Sequence, residues 1–231
     1  MTTVLPVPID QNELRLLVYR QFADHARVTG TDEVAAAFDV PAVEALAALR
    51  ALDDAHLLVL DAARRRIVMA HPWAAGPMGF MVASDRQKWW GGCAWDSFAI
   101  PALVGSACLV ATHCPACGRV LALDVHPDTP PSPGPGPGEI VAHLPVPVTR
   151  MWDDVVLTCS SQLLFCNRAH VADWLARTGM REGAVLGLTA LWHLATGWYA
   201  GRLSAAYRRR TPAEAAEFFR SIGLTGDFWA A

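Results

Sequence analysis

The N-terminal part of the chain carries apolar positions at spacings of three and four, which are typical of amphipathic helices. This pattern predicts a helix over residues 13–25, a short helix over 31–38 and a third helix that begins at Pro41. Apolar runs at 56–60 and 66–70 flank a polar turn and predict a β-hairpin. The chain is therefore expected to begin with a compact helical module that ends in a hairpin.

This order of helices and hairpin is that of a winged helix, and many winged helices bind DNA. A helix that reads bases presents Arg, Lys, Asn or Gln to the groove, whereas the third predicted helix presents mainly alanine, with Glu44 and Arg50. The three arginines at 64–66 are the residues that could contact phosphate. The chain has 19 Lys and Arg against 22 Asp and Glu, so it lacks the positive field that attracts nucleic acid. We predict a winged-helix-like module at residues 1–82 that serves packing or interaction, without nucleic acid as a partner.

The remainder, residues 83–231, has the pattern of an α+β domain with a mainly antiparallel sheet. Residues 124–138 are dominated by Pro and Gly and are expected to form a mobile loop or hairpin tip. The flanking segments at 119–125 and 139–144 should then be antiparallel neighbours, and a further strand is predicted at 155–159. Two helices complete the predicted domain, at 168–178 and at 212–222.

Residues 183–201 form a segment of 19 residues without a formal charge, which is long enough to span a bilayer. The segment contains Thr189, His193 and Thr196, and no second segment of this kind occurs, so a buried core helix is predicted instead. The first residues lack a basic start followed by an apolar stretch, which argues against a secretion signal. We expect a cytoplasmic protein with reduced thiols and no membrane partner.

Six cysteines in 231 residues are too sparse for a disulfide scaffold. Cys114 and Cys117 form a CPAC pair that resembles one knuckle of a zinc ribbon, but structural zinc needs four ligands and a second CxxC is absent. Zinc on this pair and two other groups is an alternative that the spacing does not favour. A redox role for the pair also lacks the expected βαβ context. The other cysteines are Cys93, Cys108, Cys159 and Cys166.

Cys93 follows two glycines, which would allow a tight turn, and precedes a run that could begin a helix at Ala94. A thiol at a helix N-terminus meets unpaired N–H groups, and these should lower its pKa and favour the thiolate. Asp96 comes three residues later and would share a helix face with the thiol. The pair could supply a nucleophile and a proton donor, although a buried structural cysteine beside an aspartate is the simpler interpretation of this pattern alone.

A longer pattern is more specific than this pair. The segment CAWDSFAIPALVG at residues 93–105, a His-Cys ending at Cys114 and a lone cysteine at 159 resemble the organomercurial (alkylmercury) lyase family, over about residues 15–205. The resemblance implies an alkylmercury-lyase-like catalytic domain at 83–231. It also implies that Cys93, Asp96 and Cys159 form the catalytic set and that Cys114 is structural. Ser160 departs from a branch of the family that has a second cysteine at this position.

The chemistry that this resemblance implies is protonolysis of a carbon–mercury bond. Two thiolates, from Cys93 and Cys159, suit a soft thiophilic metal and would hold the mercury of substrate and product. Asp96 would accept a thiol proton and pass it to the leaving carbon. No organic cofactor is expected, and free thiols would be needed for turnover. The expected partners are a small organomercurial substrate and, as acceptors of Hg(II), small thiols or a mercuric reductase.

Two other functions stay open from the sequence. A repurposed homologue could use the same Cys93, Asp96 and Cys159 on a different substrate. A metal- or thiol-responsive regulator is suggested by the winged-helix order together with the CPAC pair, against which the composition of the third helix argues.

Overall fold

The computed structural model describes residues 9–132 and 139–230, which form a mixed structure of helices and antiparallel strands. This agrees with the α+β class predicted above, and residues 133–138 of the Pro/Gly segment lie outside the described residues. The helices are α1 (Gln11–His25), α2 (Thr31–Phe38), α3 (Ala42–Asp54), α4 (Ala94–Val104), α5 (Val155–Ser161), α6 (Arg168–Thr178), α7 (Leu188–Tyr199) and α8 (Pro212–Ser221). The strands are β1 (Val59–Leu60), β2 (Ile67–Ala70), β3 (Trp73–Ala74), β4 (Phe80–Ala83), β5 (Lys88–Gly91), β6 (Cys108–His113), β7 (Val120–Val125), β8 (Val141–Leu144), β9 (Leu163–Phe165) and β10 (Ala184–Gly187).

The N-terminal helices and the β1–β2 hairpin occur where the apolar pattern predicts them. Asp10 begins α1, because its side chain accepts hydrogen bonds from the backbone N–H groups of Asn12 and Glu13, both at 2.9 Å. In the hairpin turn, Arg64 forms ion pairs with Asp53 and Asp54. Part of the turn's positive charge is therefore satisfied within the module. That the module is a winged helix stays a prediction.

A seven-stranded antiparallel sheet has the order β1-β2-β3-β5-β4-β6-β7. Its β3 pairs with β5, where Trp73 lies opposite Gly91, and β4 pairs with both β5 and β6. The sheet therefore runs without interruption across residues 82 and 83, where the sequence suggested a domain boundary. The division into 1–82 and 83–231 stays a prediction.

A smaller three-stranded sheet has the order β10-β8-β9. The prediction that 119–125 and 139–144 are neighbours is wrong, because β7 pairs with β6 whereas β8 lies in this second sheet between β9 and β10. The strand predicted at 155–159 is also wrong, since those residues begin α5. Asp154 caps this helix by accepting a hydrogen bond from the N–H of Leu157 at 2.9 Å, which outweighs the β-branched composition.

Two apolar helices, α4 and α7, pack against each other in the core. Residues Ala94–Pro101 of α4 are all buried. The uncharged segment at 183–201 is only partly the predicted core helix, because its first residues form β10 and α7 starts at Leu188. Within the two described stretches, no helix is both long enough and apolar enough for a bilayer crossing.

The first helix is joined to the C-terminal part of the chain by a buried arginine. Arg15, on α1, donates hydrogen bonds to the backbone carbonyls of Arg202 and Ser204, both at 2.6 Å. The Arg202 guanidinium lies over the rings of Tyr199 and Tyr207, 4.9 Å and 4.6 Å from their centroids. Helix α8 follows with the capping box that the sequence predicts.

Candidate active site

Cys93 is positioned by the junction between β5 and α4. It is the N-cap residue of α4, and its Sγ accepts a hydrogen bond from the N–H of Asp96 at 3.4 Å, so the helix start predicted from sequence is confirmed. The two preceding residues are glycines because a larger side chain at either position would collide with the first turn of α4. A Cβ on Gly91 would lie 2.1 Å from Ser97 Oγ, and a Cβ on Gly92 would lie 2.3 Å from Asp96 Oδ2.

Cys159 reaches the same place from α5. Its Sγ lies 3.7 Å from Asp96 Oδ2 and 3.4 Å from His71 Nε2. The last turn of α5 is held against the start of α4 because the N–H of Ala94 donates to the carbonyl of Gln162 at 3.0 Å. The structure therefore brings Cys93, Asp96 and Cys159 together, although Cys93 and Cys159 are far apart in sequence.

Asp96 lies between the cysteines and a tyrosine. The Tyr199 hydroxyl donates a hydrogen bond to Asp96 Oδ1, while Oδ2 faces Cys159. Asp96 is only 2% exposed, so these contacts replace the water that a surface carboxylate would have. Tyr199 is available here because it ends α7, the helix that packs on α4. The carboxylate is thus held in one orientation with one oxygen directed at a thiol.

The pKa values of the two cysteines are shifted in opposite directions. A hydrogen bond from Cys93 lowers the pKa of Cys159, and the positive charge of His71 lowers it further against the effect of burial. Burial raises the pKa of Cys93 well above its usual range, and the charges of Cys159 and Asp96 add to this. The expectation that the helix N-terminus makes Cys93 the thiolate is wrong in direction, because burial outweighs the helix-end effect. Cys159 is the more acidic thiol of the pair.

His71 contributes to the lower pKa of Cys159. Burial alone lowers its pKa, but the neighbouring Cys159 and Asp96 outweigh burial and raise it. His71 precedes β3, whose pairing with β5 places it beside the β5–α4 junction, and the N–H of Gly92 donates to the carbonyl of Pro72 at 3.2 Å. An imidazolium at this position stabilises a thiolate on Cys159.

A cavity of about 590 Å³ adjoins the site and is bounded by both terminal parts of the chain. Asp96, His71 and Gln162 contribute polar groups to it, and aromatic side chains form much of the wall. These aromatic residues include Tyr19, Trp95, Trp152, Trp198 and Tyr207. Trp95 therefore lines the cavity besides packing against Trp198. Arg202, Arg209 and Arg210 also line the cavity, so its aromatic wall is accompanied by positive charge.

Three site residues were missed by sequence reasoning. His71 directly follows the predicted hairpin and belongs to no predicted element, Tyr199 lies inside the uncharged segment, and Gln162 follows Cys159 without any motif. Gln162 Oε1 accepts a hydrogen bond from the Cys93 thiol at 3.2 Å. The one sequence signal for these residues is a polar side chain within an apolar stretch. For Tyr199 this signal does not distinguish a site residue from a core residue, because tyrosine is commonly found in cores.

Comparison with known proteins identifies the family of this chain. The family model described as alkylmercury lyase matches residues 73–200, which is more than half of the chain. The chain belongs to the alkylmercury lyase family. It is accordingly an enzyme of the organomercurial lyase class. The match begins at β3, so α1, α2 and α3 lie outside it, whereas Cys93, Asp96, Cys159 and Tyr199 lie within it.

The fold of this alkylmercury lyase is similar to a solved structure entitled "Crystal structure of the mercury-bound form of MerB2". The two share 14% sequence identity with a TM-score of 0.66, over 86% of this chain and 93% of the other. At this identity the likeness concerns the fold. No curated protein sequence matches the chain significantly.

Proposed function

We propose that this enzyme cleaves the carbon–mercury bond of organomercurials by protonolysis, with Cys93 and Cys159 binding mercury and Asp96 relaying the proton. The observation that carries the proposal is the position of Asp96. Its Oδ2 lies 3.7 Å from Cys159 Sγ, and its backbone N–H lies 3.4 Å from Cys93 Sγ. A carboxylate that contacts one sulfur, on a residue whose backbone N–H contacts the other, lies where it can take a thiol proton and return it to a carbon bound to the same metal.

The reaction begins with the Cys159 thiolate, which displaces a weaker ligand from R–Hg⁺ and forms a sulfur–mercury bond. The thiol of Cys93 gives its proton to Asp96, and the resulting thiolate forms the second sulfur–mercury bond. Asp96 then donates the proton to the carbon as the carbon–mercury electron pair moves onto that carbon. The products are a hydrocarbon, R–H, and Hg(II) on two thiolates, with Asp96 again ionised.

The surrounding residues support these steps. His71 keeps Cys159 ready as the first nucleophile, and Tyr199 fixes the Asp96 carboxylate so that Oδ2 faces the reacting atoms. Exchange with two molecules of a small thiol, or with thiols of a mercuric reductase, would release Hg(II). One of the two thiol protons restores the Cys93 thiol, and the other passes to solvent as Cys159 leaves as a thiolate. No organic cofactor has a role in this scheme. The thiols must be reduced, so the proposal places the enzyme in a reducing compartment such as the cytoplasm.

The test measures hydrocarbon release from phenylmercury or methylmercury in the presence of excess thiol. We expect release by the wild-type chain and loss of turnover in Cys93→Ser and in Cys159→Ser. Asp96→Asn should still bind mercury but release hydrocarbon slower by about 10² to 10⁴-fold, the usual range for loss of a general acid or base. Cys108→Ser is the matched control, because Cys108 lies on β6 outside the site and its replacement should leave the rate unchanged.

Absence of hydrocarbon release by the wild-type chain would contradict the proposed reaction. A wild-type rate no higher than that of Asp96→Asn would contradict the role of the carboxylate. If mercury binds to both cysteines without bond cleavage, the Cys93, Asp96 and Cys159 set serves another substrate.

A further inference from the structure

A second group of sulfur ligands lies outside the mercury site, at the turn between β6 and β7. Cys114 and Cys117 occupy this turn. The N–H of Cys114 donates to the carbonyl of Arg119 and the N–H of Gly118 to the carbonyl of Cys114, both at 2.8 Å. Gly118 has φ +74°, a left-handed conformation that glycine adopts readily. The turn thus holds two thiols on one short, closed loop.

The remaining two ligands come from the segment that follows β9 of the three-stranded sheet. Cys166 directly follows β9, and His170 lies in the first turn of α6. The Asn167 side chain caps that helix by accepting a hydrogen bond from the N–H of His170 at 2.9 Å, which fixes the position of the histidine backbone. Sequence spacing did not favour zinc because it offered no second CxxC. The fold supplies Cys166 and His170, four residues apart, in place of the missing second CxxC.

The four side chains lie close enough together to share one metal ion. The ligand atoms of Cys114, Cys117, Cys166 and His170 all lie within 4.8 Å of one another. Cys117 Sγ and Cys166 Sγ are 3.8 Å apart, and Cys114 Sγ is 3.4 Å from His170 Nδ1. With zinc–sulfur bonds of about 2.3 Å and zinc–nitrogen bonds of about 2.0–2.1 Å, a tetrahedron requires about 3.8 Å between sulfurs and about 3.5 Å between sulfur and nitrogen. These two separations agree with the required values, and the other ligand atoms lie no more than 4.8 Å apart.

We propose that Cys114, Cys117, Cys166 and His170 bind one zinc ion in a closed structural site that is separate from the mercury-binding cysteines. Three cysteines and one histidine form a standard structural zinc set, with no position left for water or substrate. Arg177 donates to the carbonyl of Ala116 at 3.0 Å, so a cation lies beside the excess negative charge of such a site. Cys117 is exposed, and this gives the metal a path of entry.

The zinc would join the two sheets of the fold. Cys114 and Cys117 belong to the β6–β7 hairpin of the large sheet, whereas Cys166 follows β9 of the small sheet. Strand β9 follows α5, which carries Cys159, so the ion would also restrain the segment that leads from the catalytic cysteine. Because a structural zinc site contributes to folding stability directly, its loss should lower the melting temperature.

The experiment uses the full chain without a polyhistidine tag, purified in a reducing buffer. Metal content is measured by mass spectrometry of the elements, and we expect about one zinc per chain. Cys117→Ser, which replaces the exposed ligand, should retain less than about a tenth of this zinc and melt about 5 °C lower or more. Cys108→Ser is the control for loss of a cysteine outside the site and should retain the zinc content of the wild type.

A second variant separates this site from the group formed by His71, Asp96 and Cys159, which could also hold a metal ion. Cys93→Ser/Cys159→Ser should retain the zinc. In Cys93→Ser/Cys159→Ser, replacement of zinc by Co²⁺ should give the visible bands of tetrahedral cobalt with strong sulfur-to-cobalt absorption, and this measurement decides the question even if Cys117→Ser does not fold.

Three results would overturn the proposal. The first is a reduced wild-type chain that binds neither zinc nor cobalt after reconstitution. The second is loss of the metal in Cys93→Ser/Cys159→Ser but not in Cys117→Ser. The third is a disulfide between Cys117 and Cys166 in the chain as it is isolated from cells.

Discussion

Replacement of His71 by glutamine tests how the site prepares its first nucleophile. His71 Nε2 lies 3.4 Å from Cys159 Sγ in a buried environment. A full positive charge at this distance would stabilise the thiolate by about 5 kcal/mol at an effective dielectric constant of about 20, which is an upper bound because burial opposes the charge on His71. A hydrogen bond to a charged group contributes about 1.5–3 kcal/mol, which we take as the expected loss.

This loss corresponds to a decrease of about 10- to 150-fold in the ionisation constant of Cys159, that is, in the ratio of thiolate to thiol at a given pH. The pKa of Cys159 should therefore rise in His71→Gln, and the ultraviolet absorbance of the thiolate should appear at higher pH. Subtraction of the Cys159→Ser titration assigns the signal to this residue. Turnover at neutral pH should fall by a similar factor and recover as the pH is raised.

His56→Gln is the matched control for this experiment. His56 also lines the cavity and stacks on Trp152, with ring centroids 4.3 Å apart, yet it makes no hydrogen bond to Cys159 in the described residues. Its replacement should leave the thiolate titration unchanged. An identical titration for His71→Gln and the wild-type chain would refute the view that His71 stabilises the Cys159 thiolate.

Three further perturbations have defined outcomes. Gly92→Ala places a Cβ 2.3 Å from Asp96 Oδ2 and should displace the carboxylate, lowering kcat at least about tenfold, whereas Gly76→Ala, with no atom within 4 Å of the new Cβ, should leave it unchanged. Tyr199→Phe removes the hydrogen bond to Asp96 Oδ1 and should lower kcat by about 10- to 100-fold while mercury binding, measured by calorimetry, is retained. The pKa of Glu214 is lowered to about 2 by Arg208 and by the Thr211 cap, so the stability it contributes is complete above its usual pKa near 4.5 and is lost as pH falls toward 2. Glu214→Gln should therefore melt below the wild type at pH 7, and the difference measured by calorimetry should vanish across that acid range.

The local part of the site could be predicted from sequence because it depends on a single helix start. Cys93 and Asp96 are three residues apart, and the glycines before them and the apolar run after them indicated where α4 begins. The pKa of Cys93 could not be predicted in the same way. Its direction depends on burial, which is set by the α5 and α7 segments packed around it and not by the helix end alone.

The long-range part of the site depends on pairing that no local pattern encodes. The β-branched residues at 155–158 favoured a strand, yet the Asp154 cap and the surrounding packing produce α5. Similarly, β8 follows β7 in the order of strands along the chain and was therefore expected to pair with it, but β8 belongs to the second sheet. His71 and Tyr199 reach Cys159 and Asp96 through strand order and helix packing, and neither can be read from neighbouring residues.

The hydrogen-bond partners of the buried Arg15 are synthesised long after Arg15 itself. Its guanidinium is satisfied by carbonyls that lie 187 and 189 residues later. At a translation rate of about 5–20 residues per second, about 10–40 s pass between synthesis of the first helix and arrival of its partners. During that interval α1 cannot bury this charge in its final position, because an unpaired arginine is costly to remove from water. Arg15 therefore reaches its final partners only after residues 202–204 have been made, and the wall that Tyr19 of α1 gives the cavity is fixed in place only then.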